Sequence, residues 1–65
     1  MRHFINNELK TCGGGGLNFE SIYKKVSGQF GNFFTKDFVF KVIDELFQMG
    51  LIYEKAKYTY ASFDN

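Results

Sequence analysis

The chain has 65 residues, including nine Phe and four Tyr but no Pro or Trp, and its net charge is +1. This length suits one domain, residues 1–65, with a modest core, because a chain of this size buries only about 60% of its unfolded surface. The charge lacks the basic excess of dedicated nucleic-acid binders, the single cysteine excludes an internal disulfide, and no apolar run is long enough to cross a bilayer. We therefore expect a soluble intracellular domain with no membrane partner.

The first predicted element is a helix over residues 2–12. Ile5, Leu9 and Cys12 recur at i, i+4 and i+7, which is the spacing of one helical face. We interpret Cys12 as a small buried hydrophobe at the helix end rather than a reactive thiol. Four glycines at 13–16 end the helix and predict a loop inside one domain.

A very short strand is predicted at residues 17–19, followed by a helix over about 19–30 with its cap at Asn18 or a neighbour. This second helix has the most regular amphipathic pattern of the chain. Its apolar residues are Phe19, Ile22, Tyr23, Val26 and Phe30.

A third helix is predicted from the N-cap Thr35, with Asp37 beside the positive end of the helix dipole and Gly50 as the stop. The residues expected to face the core from this helix are Val39, Val42, Ile43 and Leu46.

A β-hairpin follows, with strands over about 51–55 and 58–63 and a tip at Ala56-Lys57. Because side chains alternate along a strand, two faces are predicted. The expected core-facing set is Ile52, Tyr58 and Tyr60. Tyr53 and Phe63 are expected together on the outer face.

The order helix, short strand, helix, turn, helix, hairpin predicts an α+β winged helix. Such a fold has a three-helix core of the helix-turn-helix type and a C-terminal β-hairpin wing. The apolar faces of the three helices and one face of the hairpin would bury one another. Every segment with a periodic apolar pattern would then contribute to the core.

Two stretches resemble a known family: GLNFESIYKKV at 16–26 and VIDELFQMGLIYEKAKYTYASFD at 42–64. The shared features are Gly-Leu-Asn-Phe before the second helix, Ile-Asp-x-Leu late in the third, Gly-x-Ile-Tyr opening the wing, and Ser-x-Asp near the C-terminus. With these features the chain resembles the C-terminal winged-helix domain of the middle-sized subunit of replication protein A and its relatives in telomere complexes.

The resemblance implies a docking module that binds short amphipathic helices of replication, repair or telomere proteins. Single-stranded DNA affinity would belong to other parts of the complex, which the rest of a longer chain would join, and the localisation would be nuclear. Carried over by position, the partner-binding residues are Met49, Tyr53, Lys55, Lys57 and Phe63. The family's wing is acidic, whereas this one carries two lysines, so we expect partners with acidic flanks.

The alternative is a winged helix that binds duplex DNA through its third helix and wing. A DNA-reading face needs Arg, Lys, Asn or Gln towards the base edges, whereas Phe40 and Phe47 occupy this face with Asp44 between them. Direct nucleic-acid binding is therefore expected to be weak or absent. Phe40 and Phe47 are either additional core, covered by the first helix or by Phe33-Phe34, or a second interface for a neighbouring domain.

No catalytic or cofactor pattern is found in the sequence, and we expect a protein that is not an enzyme. His3 and Cys12 are too few for a metal site of three or four ligands. The acidic residues of the third helix have no candidate partner for acid–base chemistry, and the glycine run lacks the lysine of a phosphate-binding loop.

Overall fold

The computed structural model describes residues 1–12 and 15–63. The described chain is a small α+β domain with three helices and three strands. In chain order these are α1 (Arg2–Thr11), β1 (Leu17–Asn18), α2 (Phe19–Phe30), α3 (Lys36–Gln48), β2 (Ile52–Ala56) and β3 (Thr59–Ser62). Each predicted element is confirmed to within a residue or two. Gly13 and Gly14 of the predicted loop, and Asp64 of the Ser-x-Asp motif, lie outside the described residues.

The three strands form one antiparallel sheet in the order β1–β3–β2. The hairpin was predicted, but the place of β1 was not: Leu17 lies opposite Tyr60, so the short strand extends the hairpin on the β3 side. β3 is therefore the central strand, and α1 packs on it as well. None of the helices in the described part of the chain combines the length and apolarity needed to span a bilayer.

The core consists of the predicted helical stripes and the inner face of the hairpin. Every core-facing residue predicted for α3 is buried, as are two each from α1 and α2. The buried cluster is Ile5, Leu9, Ile22, Val26, Val39, Val42, Ile43, Leu46, Ile52 and Tyr60.

Capping side chains fix where α2 and α3 begin. Asn18 Oδ1 accepts the backbone N–H of Ser21 at 2.8 Å, and Thr35 Oγ1 accepts that of Phe38 at 3.1 Å. Each bond satisfies a donor that has no partner within the first turn of its helix. Both capping predictions are confirmed.

The end of α3 is a Schellman motif centred on Gly50. Gly50 N–H donates to the Phe47 carbonyl at 3.1 Å, and Leu51 N–H donates to the Leu46 carbonyl at 3.1 Å. Gly50 has φ +76, a backbone conformation that glycine adopts without a steric penalty. The motif turns the chain directly from α3 into β2.

The predicted hairpin tip and the predicted burial of Tyr58 are wrong. The turn is formed by Lys57 and Tyr58, because a β-bulge between Glu54 and Ala56 shifts the register by one residue. Tyr58 takes the left-handed conformation with φ 59, and its side chain is 49% exposed. Its N–H donates to Glu54 Oε2 at 3.0 Å, and its carbonyl accepts the N–H of Phe19 at 2.8 Å. The turn is thus bonded to the start of α2.

Candidate docking site

An aromatic pair occupies the outer face of the hairpin, where alternation predicted it. Tyr53 lies opposite Ala61 in the β2–β3 register, and Phe63 follows two residues after Ala61 on the same face. The ring centroids of Tyr53 and Phe63 are 4.9 Å apart and the rings are inclined at 43°. The Phe63 side chain is 62% exposed although it is one of the most apolar in the chain. A paired but open aromatic surface of this kind suits recognition better than core packing.

Met49 is the C-cap of α3. Its side chain is 56% exposed and borders a shallow depression of about 180 Å³. The Met49 Sδ atom is 4.0 Å from a guanidinium nitrogen of Arg2. Leu51 lines the same depression, and its carbonyl accepts the N–H of Phe63 at 3.2 Å. Leu51 thus connects the depression beside Met49 to Phe63 through the backbone, and the three predicted docking residues Met49, Tyr53 and Phe63 are called the outer strip below.

The two wing lysines are both exposed. Lys55 lies in β2, within the β-bulge between Glu54 and Ala56. The ammonium of Lys57 lies 5.5 Å from the ring centroid of Tyr58. Because Tyr58 also contacts Phe40, Lys57 is placed on the side of the hairpin that faces α3.

Phe40 and Phe47 belong to the surface rather than to the core. They are 40% and 47% exposed. Phe40 packs against Phe19, with ring centroids 5.2 Å apart, and against Tyr58 at 6.0 Å. Neither of these contacts is with α1 or with the Phe33-Phe34 turn. Their exposure argues against the first alternative, a place in the core, and the second, an interface for a neighbouring domain, stays a prediction.

A groove between α3 and the inner face of the hairpin was missed by sequence reasoning. It encloses about 210 Å³ and is called the aromatic groove below. Its lining residues are Phe40, Ile43, Asp44, Phe47, Glu54, Tyr58 and Tyr60. The spacing of Phe40, Asp44 and Phe47 on one helical face was the available signal. The contribution of the hairpin depends on the β-bulge, for which the sequence gives no signal.

The surroundings of the aromatic groove shift the pKa of one lining residue, Tyr60. Burial raises the pKa of the Tyr60 hydroxyl above its usual 10.0, and the nearby Glu54, Tyr58 and Asp44 raise it further. Asp44, on the predicted DNA-facing side of α3, thus adds negative charge beside two phenylalanines. This surface would repel phosphate groups, which argues against duplex binding by α3.

Cys12 and Lys25 have local partners. Cys12 is half-buried, and its thiol donates to the Leu9 carbonyl at 3.1 Å. Lys25 pairs with Glu8 at 3.3 Å on the helical surface. Within residues 1–12 and 15–63, no group of three or more His, Cys, Asp or Glu side chains is arranged to hold a metal ion.

No family model, curated protein or solved structure matches the chain significantly. The resemblance to the replication protein A subunit therefore stays a prediction from the residues, and so do the partner classes and the nuclear localisation that it implies.

Proposed function

We propose that the protein is a docking module of the winged-helix type that binds amphipathic helices of partner proteins through the outer strip. The observation that carries the proposal is the contact between the half-buried Tyr53 and the exposed Phe63. Aromatic side chains that stay open on a rigid surface are the most common anchors of protein interfaces. A helix that lies across this surface would place apolar residues at i, i+3 or i+4, and i+7 against it.

The order of elements supports the winged-helix assignment. Three helices precede a hairpin, and the short strand β1 pairs with the hairpin, so α2 and α3 are joined to the wing as a compact unit. If the resemblance described above holds, such a module would belong to a single-stranded-DNA-binding complex of replication, repair or telomere maintenance. In this proposal the domain has no catalytic role.

The wing suggests which helices would be preferred. Lys55 in β2 and Lys57 in the turn, the latter towards α3, are both exposed near the tip, and charges around an interface influence partner choice more than affinity. A partner helix with acidic residues beside its apolar stripe would therefore bind better than a basic one.

The proposal is tested with a synthetic helical peptide that has leucines at i, i+4 and i+7 and glutamates on both flanks. A twin peptide with lysines in place of the glutamates measures the charge preference. Titration into the isotope-labelled chain should shift the amide signals of Met49, Tyr53 and Phe63 and should favour the acidic peptide. Shifts confined to α2 or to the first residues of α1 would contradict the site.

Tyr53→Ala should weaken the acidic peptide by about 2 kcal/mol, or roughly 30-fold in Kd, if Tyr53 is an interface anchor. The loss of the cross-strand pair with Phe63 should lower stability by no more than about 1 kcal/mol, so the domain stays folded. Phe33→Ala is the matched control, since Phe33 is an exposed aromatic residue on the α2–α3 connection. Equal losses in both variants would show that binding is only nonspecific adhesion to aromatic rings.

A further inference from the structure

The aromatic groove lies on the opposite side of the hairpin from the outer strip. Glu54 and Tyr60 are register partners in the β2–β3 pair, whereas Tyr53 pairs with Ala61 on the other face. The groove volume of about 210 Å³ is below the roughly 300–1,000 Å³ of most pockets for small molecules and cofactors. Its size therefore favours a single inserted side chain over a cofactor.

The residues that line the groove carry negative charge, and the Lys57 ammonium lies outside this lining, 5.5 Å from the ring centroid of Tyr58. Among the lining residues are two carboxylates, Asp44 and Glu54, and no Lys, Arg or His. One Glu54 oxygen accepts the N–H of Tyr58 at 3.0 Å. Asp44 makes no hydrogen bond or ion pair with any residue of the described ranges. The groove thus offers carboxylate oxygens that are accessible to a cation from outside.

Tyr60 provides an independent polar feature. Its side chain is only 6% exposed and lines the groove, yet its hydroxyl has no hydrogen-bond partner among residues 1–12 and 15–63. The hydroxyl is not among the fully buried atoms that lack a partner, so it is open to the groove and can bond to a ligand there. The raised pKa of Tyr60 keeps the hydroxyl neutral, and its oxygen can accept a hydrogen bond from a cationic donor.

Aromatic faces complete the groove. The rings of Phe40 and Tyr58 are nearly perpendicular at 86°, with centroids 6.0 Å apart, and Phe47 lines the same space. Cations bind over aromatic faces, and arginine does so most often because its planar guanidinium also stacks. Arginine also carries five N–H donors in a fork that matches a carboxylate, which a lysine ammonium lacks.

We propose that the aromatic groove binds an arginine side chain presented by a partner protein. The guanidinium would stack on Phe40 and donate to the carboxylates of Asp44 and Glu54, while Lys57 stays over the ring of Tyr58. This site is separate from the outer strip and does not depend on it. One domain would then hold two contacts, of which the groove takes a basic segment.

The probe is the peptide acetyl-Gly-Arg-Gly amide, added to the 65-residue chain labelled with ¹³C and ¹⁵N. Its twin carries citrulline, which has nearly the same shape as arginine but no charge. We expect saturable shifts of the Asp44 and Glu54 carboxyl carbons and of the Tyr58 and Tyr60 ring signals. The citrulline peptide should bind at least about tenfold more weakly, because hydrogen bonds to charged groups are the stronger ones. Equal binding of both peptides, or shifts confined to Tyr53 and Phe63, would overturn the proposal.

Two variants identify the groups responsible. Asp44→Asn should weaken the arginine peptide several-fold, whereas Glu45→Gln removes the same charge from an exposed neighbour outside the groove and should leave Kd within twofold. Equal losses would indicate only long-range attraction and would refute the site. Tyr60→Phe should weaken binding while leaving Tm unchanged or higher, since the hydroxyl has no intramolecular partner. If Tyr60→Phe left binding unchanged, the role of the hydroxyl in the site would be refuted.

Discussion

Gly16 is the position at which a single added carbon should disturb the fold most specifically. Gly16 precedes β1 and has φ +74. A Cβ atom built there would lie 2.7 Å from the backbone carbonyl oxygen of Tyr60 and 3.3 Å from its carbon. Because the obstacle is the backbone of the central strand, it cannot move aside as a flexible side chain would. Gly16→Ala should therefore separate β1 from β3.

The magnitude follows from two terms. An L-residue in the left-handed region is destabilised by about 1–2 kcal/mol. Forcing an extra carbon into occupied space adds about 1–3 kcal/mol. Gly16→Ala should thus lower the free energy of unfolding by about 2–5 kcal/mol, a large part of what a domain of this size possesses.

Gly50→Ala separates the two terms. Gly50 has nearly the same φ, +76, but no atom lies within 4 Å of the position of its added Cβ. Gly50→Ala should therefore show only the conformational term of about 1–2 kcal/mol. The measurement is urea unfolding followed by circular dichroism, with linear extrapolation to water. If Gly16→Ala were within about 0.5 kcal/mol of Gly50→Ala, the close approach of Gly16 to β3 would be refuted. Loss of the folded state in Gly16→Ala alone would support it.

Two further predictions concern Tyr60 and Thr35. Because the pKa of the Tyr60 hydroxyl is raised in the folded state, the unfolded chain releases the hydroxyl proton at a lower pH than the folded chain does. The contribution of Tyr60 to the free energy of unfolding is complete below about pH 10 and is lost as the pH rises through the folded-state pKa. Urea unfolding at alkaline pH should show a flatter decline for Tyr60→Phe, and parallel declines would contradict the raised pKa. Thr35→Ala removes the acceptor of the Phe38 N–H and should lower the unfolding free energy by about 1 kcal/mol. The control Thr11→Ala, at an exposed helix end, should change it by less than about 0.5 kcal/mol, and equal effects would argue against the cap.

The helices could be predicted because their apolar residues recur at helical spacing, which is a local property of the sequence. Val39, Val42 and Ile43 recur on one face of α3, and Thr35 can cap it wherever the helix packs. Such signals depend on neighbours within a few residues, so they survive without knowledge of the tertiary structure. The same holds for the pairing of Tyr53 with Phe63, which needs only strand alternation.

The aromatic groove could not be predicted because it depends on an irregularity. Strict alternation places Tyr58 and Tyr60 on one face, but the bulge after Glu54 moves Tyr58 into the turn. The exposure of Phe40 likewise depends on how much of α3 the hairpin covers, which is a property of the assembled domain. The spacing of the apolar residues predicted an apolar face on α3, but it could not show that Phe40 stays exposed to solvent.

The position of β3 at the centre of the sheet determines when this domain can acquire its structure. β3 is the last described strand, yet β1, β2 and α1 all pack against it. A nascent chain grows at about 5–20 residues per second, so α1, β1 and β2 would be synthesised before β3, their common partner, exists. Until residue 62 has left the ribosome, α1 lacks part of its packing and the edges of β1 and β2 that pair with β3 remain open. The fold is therefore completed in one late step, in which segments distant in sequence meet on the newest strand.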